Sequence, residues 1–131
     1  MGEPILVVDD NPTNLKLIRV LLRAAGYEVH GVADAEEALA ALATVRPRLI
    51  LMDLQLPGKD GLTLTRELKS DPATCDIIVV ALTAYAMKGD EERALAAGCD
   101  GYITKPINTR TLPGKVERYL RRSGGSPEGA P

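Results

Sequence analysis

Five polar positions stand at the ends of apolar runs. Asp9 and Asp10 follow PILVV, Asp53 follows LILM, Thr83 follows IIVVAL and Lys105 follows GYIT. Carboxylates brought within a few ångström of one another repel, and a cation relieves the repulsion. An all-oxygen ligand set suits Mg2+, which keeps several of its waters. One lysine opposite the acids leaves a metal-loaded pocket near neutral, fit to accept a phosphoryl group and hold its oxygens. Phosphoryl transfer needs mainly positioning and charge neutralisation, which metal and lysine supply. Taken singly, each residue has an ordinary explanation: a helix cap for Asp9-Asp10, a loop acid for Asp53, a turn residue for Thr83, a solvated cation for Lys105. Taken together they mark one rim, provided the runs before them are neighbouring parallel strands.

The elements that would position them can be read in order. Arg48 to Met52 has no polar alternation, as expected of a parallel strand covered on both faces. It stops at Asp53, and a loop with Pro57, Gly58 and Gly61 turns the chain. Pro4–Val8 and Ile77–Leu82 are continuous apolar strands of the same kind. Glu28–Val32 and Gly101–Thr104 are weaker, and so belong at sheet edges. Helices fill the gaps. The first has Asn11 at its N-cap and Pro12 at N1, and runs to about Ala25 before Gly26. The second starts from a capping box of Asp34 and Glu37 and runs to about Val45, before Pro47. The third covers Leu62–Ser70, broken by Asp71-Pro72. The fourth starts at Gly89-Asp90 and stops at Gly98. The fifth runs from about Thr111 to Arg122, with Pro113 confined to its first turn.

Five βα units with right-handed crossovers and these edges give a flavodoxin-like (βα)5 α/β fold. Its five-stranded parallel sheet has the order 2-1-3-4-5 and helices on both faces. The switch point lies between strands 1 and 3, where Asp9, Asp10 and Asp53 converge. Residues 1–122 form one domain on this reading, and 123–131 (SGGSPEGAP) a flexible tail.

The totals exclude several classes. A net charge of -2 gives no case for non-specific nucleic-acid binding, and without Trp or Phe there is no stacking platform. Cys75 and Cys99 lack zinc-ligand company and read as reduced thiols of a cytoplasmic protein. No apolar run approaches the ~20 residues of a membrane helix. MGEPILVVDD is interrupted by acids too early for a signal peptide. His30 is an edge-strand residue, Met52 and Met87 are core, and Asp90 to Arg93 form a solvated helix face.

The set Asp9-Asp10, Asp53, Thr83-Ala84 and Lys105-Pro106 resembles the CheY-like receiver domain of two-component response regulators, over residues 4 to about 122. The stretch TAYAMKGDEERALAAGCDGYITKPI is most similar to single-domain regulators of the DivK type, and also to receivers of hybrid histidine kinases. The resemblance implies that Asp53 accepts a phosphoryl group from a phosphohistidine. It implies that Asp10, Asp53 and the Gln55 carbonyl bind Mg2+ directly, with Asp9 helping through water and Mn2+ able to substitute. Lys105, the Thr83 hydroxyl and the N–H groups of Leu54 and Ala84 would hold the phosphoryl oxygens. Tyr102 matches the switch aromatic, and Lys105-Pro106 the family's cis peptide. Such a module is not an enzyme in the usual sense. It catalyses its own phosphorylation and slow hydrolysis and signals by phosphorylation-dependent protein–protein binding. No output domain follows, which points to a protein target at the 84–122 face; nucleic acid and membrane are excluded as partners, and the chain is expected to be a monomer or weak dimer. The partner is expected to be a histidine kinase or histidine phosphotransfer protein.

Two rivals stay in view. A phosphohydrolase with an aspartyl-phosphate intermediate needs a second acid two residues after the nucleophile, where Gln55 stands. A flavodoxin-like cofactor carrier needs a phosphate loop after strand 1, where DDNPTN is acidic. The first helix carries two apolar stripes. At ~100° per residue, Leu17, Val20, Leu21 and Ala24 are expected to face the sheet, leaving Leu15, Ile18 and Leu22 to dock a partner helix.

Overall fold

The computed structural model describes residues 3–56, 58–83 and 88–124. Five strands alternate with five helices. The strands are β1 (Pro4–Val8), β2 (Glu28–Val32), β3 (Leu49–Asp53), β4 (Ile78–Thr83) and β5 (Gly101–Thr104). The helices are α1 (Pro12–Ala24), α2 (Ala35–Leu42), α3 (Gly61–Ser70), α4 (Lys88–Ala96) and α5 (Leu112–Gly124). All strand pairings are parallel, in the order β2-β1-β3-β4-β5, as expected. The register sets Val8 beside Met52, Asp53 beside Leu82 and Thr83 beside Thr104. The C-terminal strand ends therefore form one rim.

Alternate strand residues feed two cores, one on each face of the sheet. On one face, Leu6, Val8, Ile50, Met52, Val79 and Ala81 pack with α2, α3 and α4. On the other, Ile5, Val7, Leu49, Leu51, Val80 and Leu82 pack with α1 and α5. Every residue of β3 and β4 is buried, which is why those runs show no polar alternation. The caps are those the sequence signals. Asn11 accepts from the N–H groups of Thr13 and Asn14, and Asp34 from that of Glu37, whose carboxylate accepts from Ala33 N–H. Helix α2 ends at Leu42 rather than about Val45. Ala43 and Thr44 donate to carbonyls three residues back, so its last turn tightens. Residues 125–131 of the expected tail lie outside the described residues. No helix among the described residues is long and apolar enough to cross a membrane.

Helix α1 is turned the other way round from the expectation. Ile18 and Leu22 are fully buried and Leu15 packs against the same core, so they are not a docking stripe. Val20 is 56% exposed, Ala24 is exposed, and Leu17 and Leu21 are half-buried. The side of α1 that carries Leu15 also carries Arg19, and both lie over Gly31 of β2, where any Cβ would crowd them. That packing of α1 against an edge strand fixes which stripe faces inward.

Candidate functional site

The ladder holds the rim together one residue beyond the apolar runs. The Asp9 N–H donates to the Val32 carbonyl (3.0 Å), Leu54 to Leu82 (3.1 Å) and Lys105 to Thr83 (2.7 Å). Asp53 ends β3 and is 5% exposed, Asp9 is fully buried and Thr83 is buried at the end of β4. Asp10 is exposed. Carboxylate oxygens of Asp9, Asp10 and Asp53, one from each, all lie within 4.8 Å of one another.

Lys105 reaches across this cluster. Its Nζ lies 3.1 Å from Asp53 Oδ2 and 3.3 Å from Asp9 Oδ2. The first contact is a hydrogen bond; the second is an ion pair whose geometry leaves Asp9 Oδ2 buried without a hydrogen bond among the described residues. Asp9 Oδ1 accepts from Asn11 N–H (2.9 Å), and Asp53 Oδ1 from Gln55 N–H (2.9 Å). Burial pushes the Asp53 carboxyl above the ordinary carboxylate range, helped by the charge of Asp9. The Gln55 N–H and Lys105 pull it back only in part. Burial pulls Lys105 down, but its bond to Asp53 and the charges of Asp53 and Asp9 outweigh that, so the lysine ends above its usual value. The two shifts have different origins: burial raises Asp53 against the pull of Lys105, whereas the bond to Asp53 and the charges of both acids raise Lys105 against its own burial. An orphaned buried carboxylate oxygen and an all-oxygen donor set fit a hard divalent cation.

One expected role is corrected. The Leu54 N–H is committed to the Leu82 carbonyl, because β3 keeps pairing with β4 past its last side chain. It is therefore not turned towards the Asp53 carboxylate. The N–H that is turned there belongs to Gln55. Ala84 lies outside the described residues. Tyr102 is half-buried and packs against the core on the α2, α3 and α4 face. The Lys105-Pro106 peptide is cis.

Two supporting residues carry more than their turn chemistry suggests. A Cβ at Gly61 would overlap the Asp53 carbonyl oxygen, and Gly61 N–H donates to the Leu54 carbonyl (3.2 Å). Glycine is thus what lets the start of α3 press against the loop that carries the acid. Asp60 caps α3 through Thr63 N–H (2.8 Å), and that bond holds its carboxyl below the ordinary range. The signal for both in the sequence is the Asp60-Gly61 pair directly ahead of an apolar helical pattern.

A parallel sheet that gathers three acids and a lysine at its switch point defines a phosphoacceptor class of signalling domain. The response regulator receiver domain model matches residues 5–117, and the chain belongs to that family. It is 45% identical over 120 residues to the polar-differentiation response regulator DivK of Brucella anthropi, covering 92% of this chain and 98% of the relative. Identity to DivK of Brucella suis is 44% over the same length. The receiver domain of sensor histidine kinase PA1611 from Pseudomonas aeruginosa, solved with a magnesium ion in its active-site cleft, superposes with a TM-score of 0.84. That match has 38% identity and covers 93% of this chain and 100% of that one. The chemotaxis response regulator CheY4 of Vibrio cholerae gives 0.86 at 27% identity, covering 91% and 99%. Receiver domains accept a phosphoryl group, bind Mg2+ in an acidic pocket, and interact with histidine kinases and downstream targets.

Proposed function

We propose that this chain takes a phosphoryl group from a phosphohistidine onto Asp53, and signals by binding a protein partner in the phosphorylated state. The supporting observation is the Lys105 Nζ poised 3.1 Å from Asp53 Oδ2 beside a second, fully buried acid. An Asp53 carboxylate oxygen attacks phosphorus, the P–N bond of the donor breaks, and the imidazole leaves with the electron pair and takes up a proton. Asp9, Asp10, Asp53 and the Gln55 carbonyl would hold Mg2+, or Mn2+ in its place. The ion supplies positive charge to the phosphoryl oxygens. Lys105 then moves its hydrogen bond from Asp53 to a phosphoryl oxygen, joined by the Thr83 hydroxyl, the Gln55 N–H and the Ala84 N–H. Slow attack of water on the acyl phosphate resets the domain.

The phosphoryl hydrogen bonds exist in one state only, so they shift the domain between two conformations. Thr83 moves towards the phosphoryl group, Tyr102 fills the space, and the 84–122 face presents itself to the target. The donor is a histidine kinase or phosphotransfer protein. It would meet α1 along Leu17, Val20 and Ala24, at the surface beside Leu21, which packs on the core. Both cysteines are free, in keeping with a cytoplasmic protein.

The test is direct. With acetyl phosphate and Mg2+, the intact protein should gain one phosphoryl mass, and Asp53→Asn should gain none while keeping its circular dichroism spectrum. Asp10→Ala, or withholding Mg2+, should slow the gain at least ~10-fold. Modification of Asp53→Asn at the wild-type rate would show that another residue is the acceptor.

A further inference from the structure

Gly101 opens β5, yet its backbone does not call for glycine. Among the described residues the left-handed glycines are Gly26, Gly58 and Gly98. What calls for glycine is Tyr119. A Cβ at position 101 would fall inside the Tyr119 ring, against its hydroxyl oxygen, Cζ and Cε1. The ring therefore lies on bare strand backbone at the sheet edge, and any larger residue at 101 would evict it. Glycine weakens a strand, so this close approach is gained at the expense of local strand propensity. The Tyr119 hydroxyl donates to the carbonyl oxygen of Tyr102, at a long 3.5 Å.

Side chains alternate along β5, and the two tyrosines sit on opposite faces. Tyr102 packs on the α2, α3 and α4 side, whereas Ile103 and Tyr119 pack on the α1 and α5 side. Residues 101 and 102 are thus held from both sides of the sheet. Tyr119 cannot simply follow a moving strand, because its neighbours Val116 and Leu120 are core residues at 0% and 5% exposure.

We propose that Tyr119 is a positioning residue that clamps β5 at the switch and couples Tyr102 to α5. This rests on the reading of Tyr102 as the switch aromatic. When Tyr102 turns inward, the backbone of residues 101 and 102 shifts under the Tyr119 ring, and α5 either moves with it or loses the contact. The coupling is reciprocal: a target that grips α5 and displaces Tyr119 changes the population of the inward Tyr102, and with it the lifetime of the phosphorylated form.

Amide NMR spectra with and without beryllofluoride and Mg2+, a phosphoryl mimic, test this. The wild-type protein should respond at Thr83 and Lys105, through 101–104, and on into 112–121. Tyr119→Leu removes the ring and the hydroxyl and leaves an apolar side chain beside Val116 and Leu120. Its response in 112–121 should fall by at least about half, with the responses at Thr83 and Lys105 unchanged. Gly101→Ala evicts the ring and should abolish the α5 response. An undiminished α5 response in Tyr119→Leu overturns the clamp and leaves the switch standing, and so does a uniform loss at every site. No response at 101–104 in the wild-type protein overturns the switch reading itself, and the clamp with it. Should Gly101→Ala fail to fold, Tyr119→Leu decides alone.

Discussion

Lys69 and Lys105 sit at opposite ends of the sheet, each against aspartate, and they do different things. At the N-terminal end, Lys69 Nζ donates to the Ile77 carbonyl (2.7 Å), the Cys75 carbonyl (3.4 Å) and Asp100 Oδ2 (3.0 Å). Asp100 in turn accepts from Val79 N–H (2.8 Å) and donates its own N–H to the Val79 carbonyl (2.7 Å). Three ammonium protons have three acceptors, and one base meets one acid. At the C-terminal end, Lys105 meets Asp9 and Asp53, and one buried Asp9 oxygen has no hydrogen bond among the described residues. A balanced polar network fixes a structure; a buried one short of positive charge is a place where a cation and a ligand complete it. Residue type alone does not tell the two apart.

The same division runs along α1, and there it can be broken with the largest effect. Ile18→Asp would put an unpaired carboxylate in the core. It should cost at least ~4 kcal/mol, enough to unfold most of the protein, read by urea titration. Val20→Asp should change stability by no more than ~0.5 kcal/mol. It should still slow transfer from a phosphohistidine partner, while leaving the acetyl phosphate reaction as it was. The reverse pattern would mean that α1 sits on its other stripe.

Next come the lysines. Lys69→Met strands the Ile77 carbonyl and should lower stability by roughly 1–3 kcal/mol, with phosphorylation and Mg2+ affinity unchanged. Lys105→Met removes the positive charge nearest the acids. Mg2+ should bind about tenfold tighter, a gain of ~1.4 kcal/mol, while phosphoryl transfer slows. Calorimetric titration of Mg2+ into both variants sharpens the comparison. Equal changes in affinity would mean that the two ends are not electrostatically distinct.

Much of this was legible because the signals are local. Continuous apolar runs mark β1, β3 and β4, and the Asn11 and Asp34 caps date the helix starts to the residue. Once the order 2-1-3-4-5 follows, Asp9, Asp53, Thr83 and Lys105 must share a rim. What failed was long-range. At ~100° per residue the basic stripe of Lys16, Arg19 and Arg23 lies about equally far from both apolar stripes of α1, so periodicity could not choose the inward one. The choice is made by β2, where Gly31 admits Arg19 and Leu15. The role given to Leu54 failed because backbone pairing does not stop where the apolar pattern does. Gly101 looked like a weak strand start, since the ring that needs it comes from α5.

The smallest effect separates two acids on one loop. Asp53 and Asp60 are shifted in opposite directions: burial raises the first, and a backbone N–H from Thr63 lowers the second. Asp60 is exposed and already serves as the α3 cap, so its removal should touch stability and not chemistry. Asp60→Ala should cost about 1 kcal/mol at neutral pH, and Asp60→Asn only part of that, since asparagine accepts the same bond without the charge. The sign with pH follows from the lowered carboxyl. Its contribution is complete above the value it has in the unfolded chain and fades as pH falls through the lower value it has in the fold. The gap between wild type and Asp60→Ala should therefore narrow below about pH 4. Urea titrations at neutral pH and at about pH 3 measure it. A gap that stays constant would mean that the cap does not depend on the charge of Asp60, and that the contrast with Asp53 lies in burial alone.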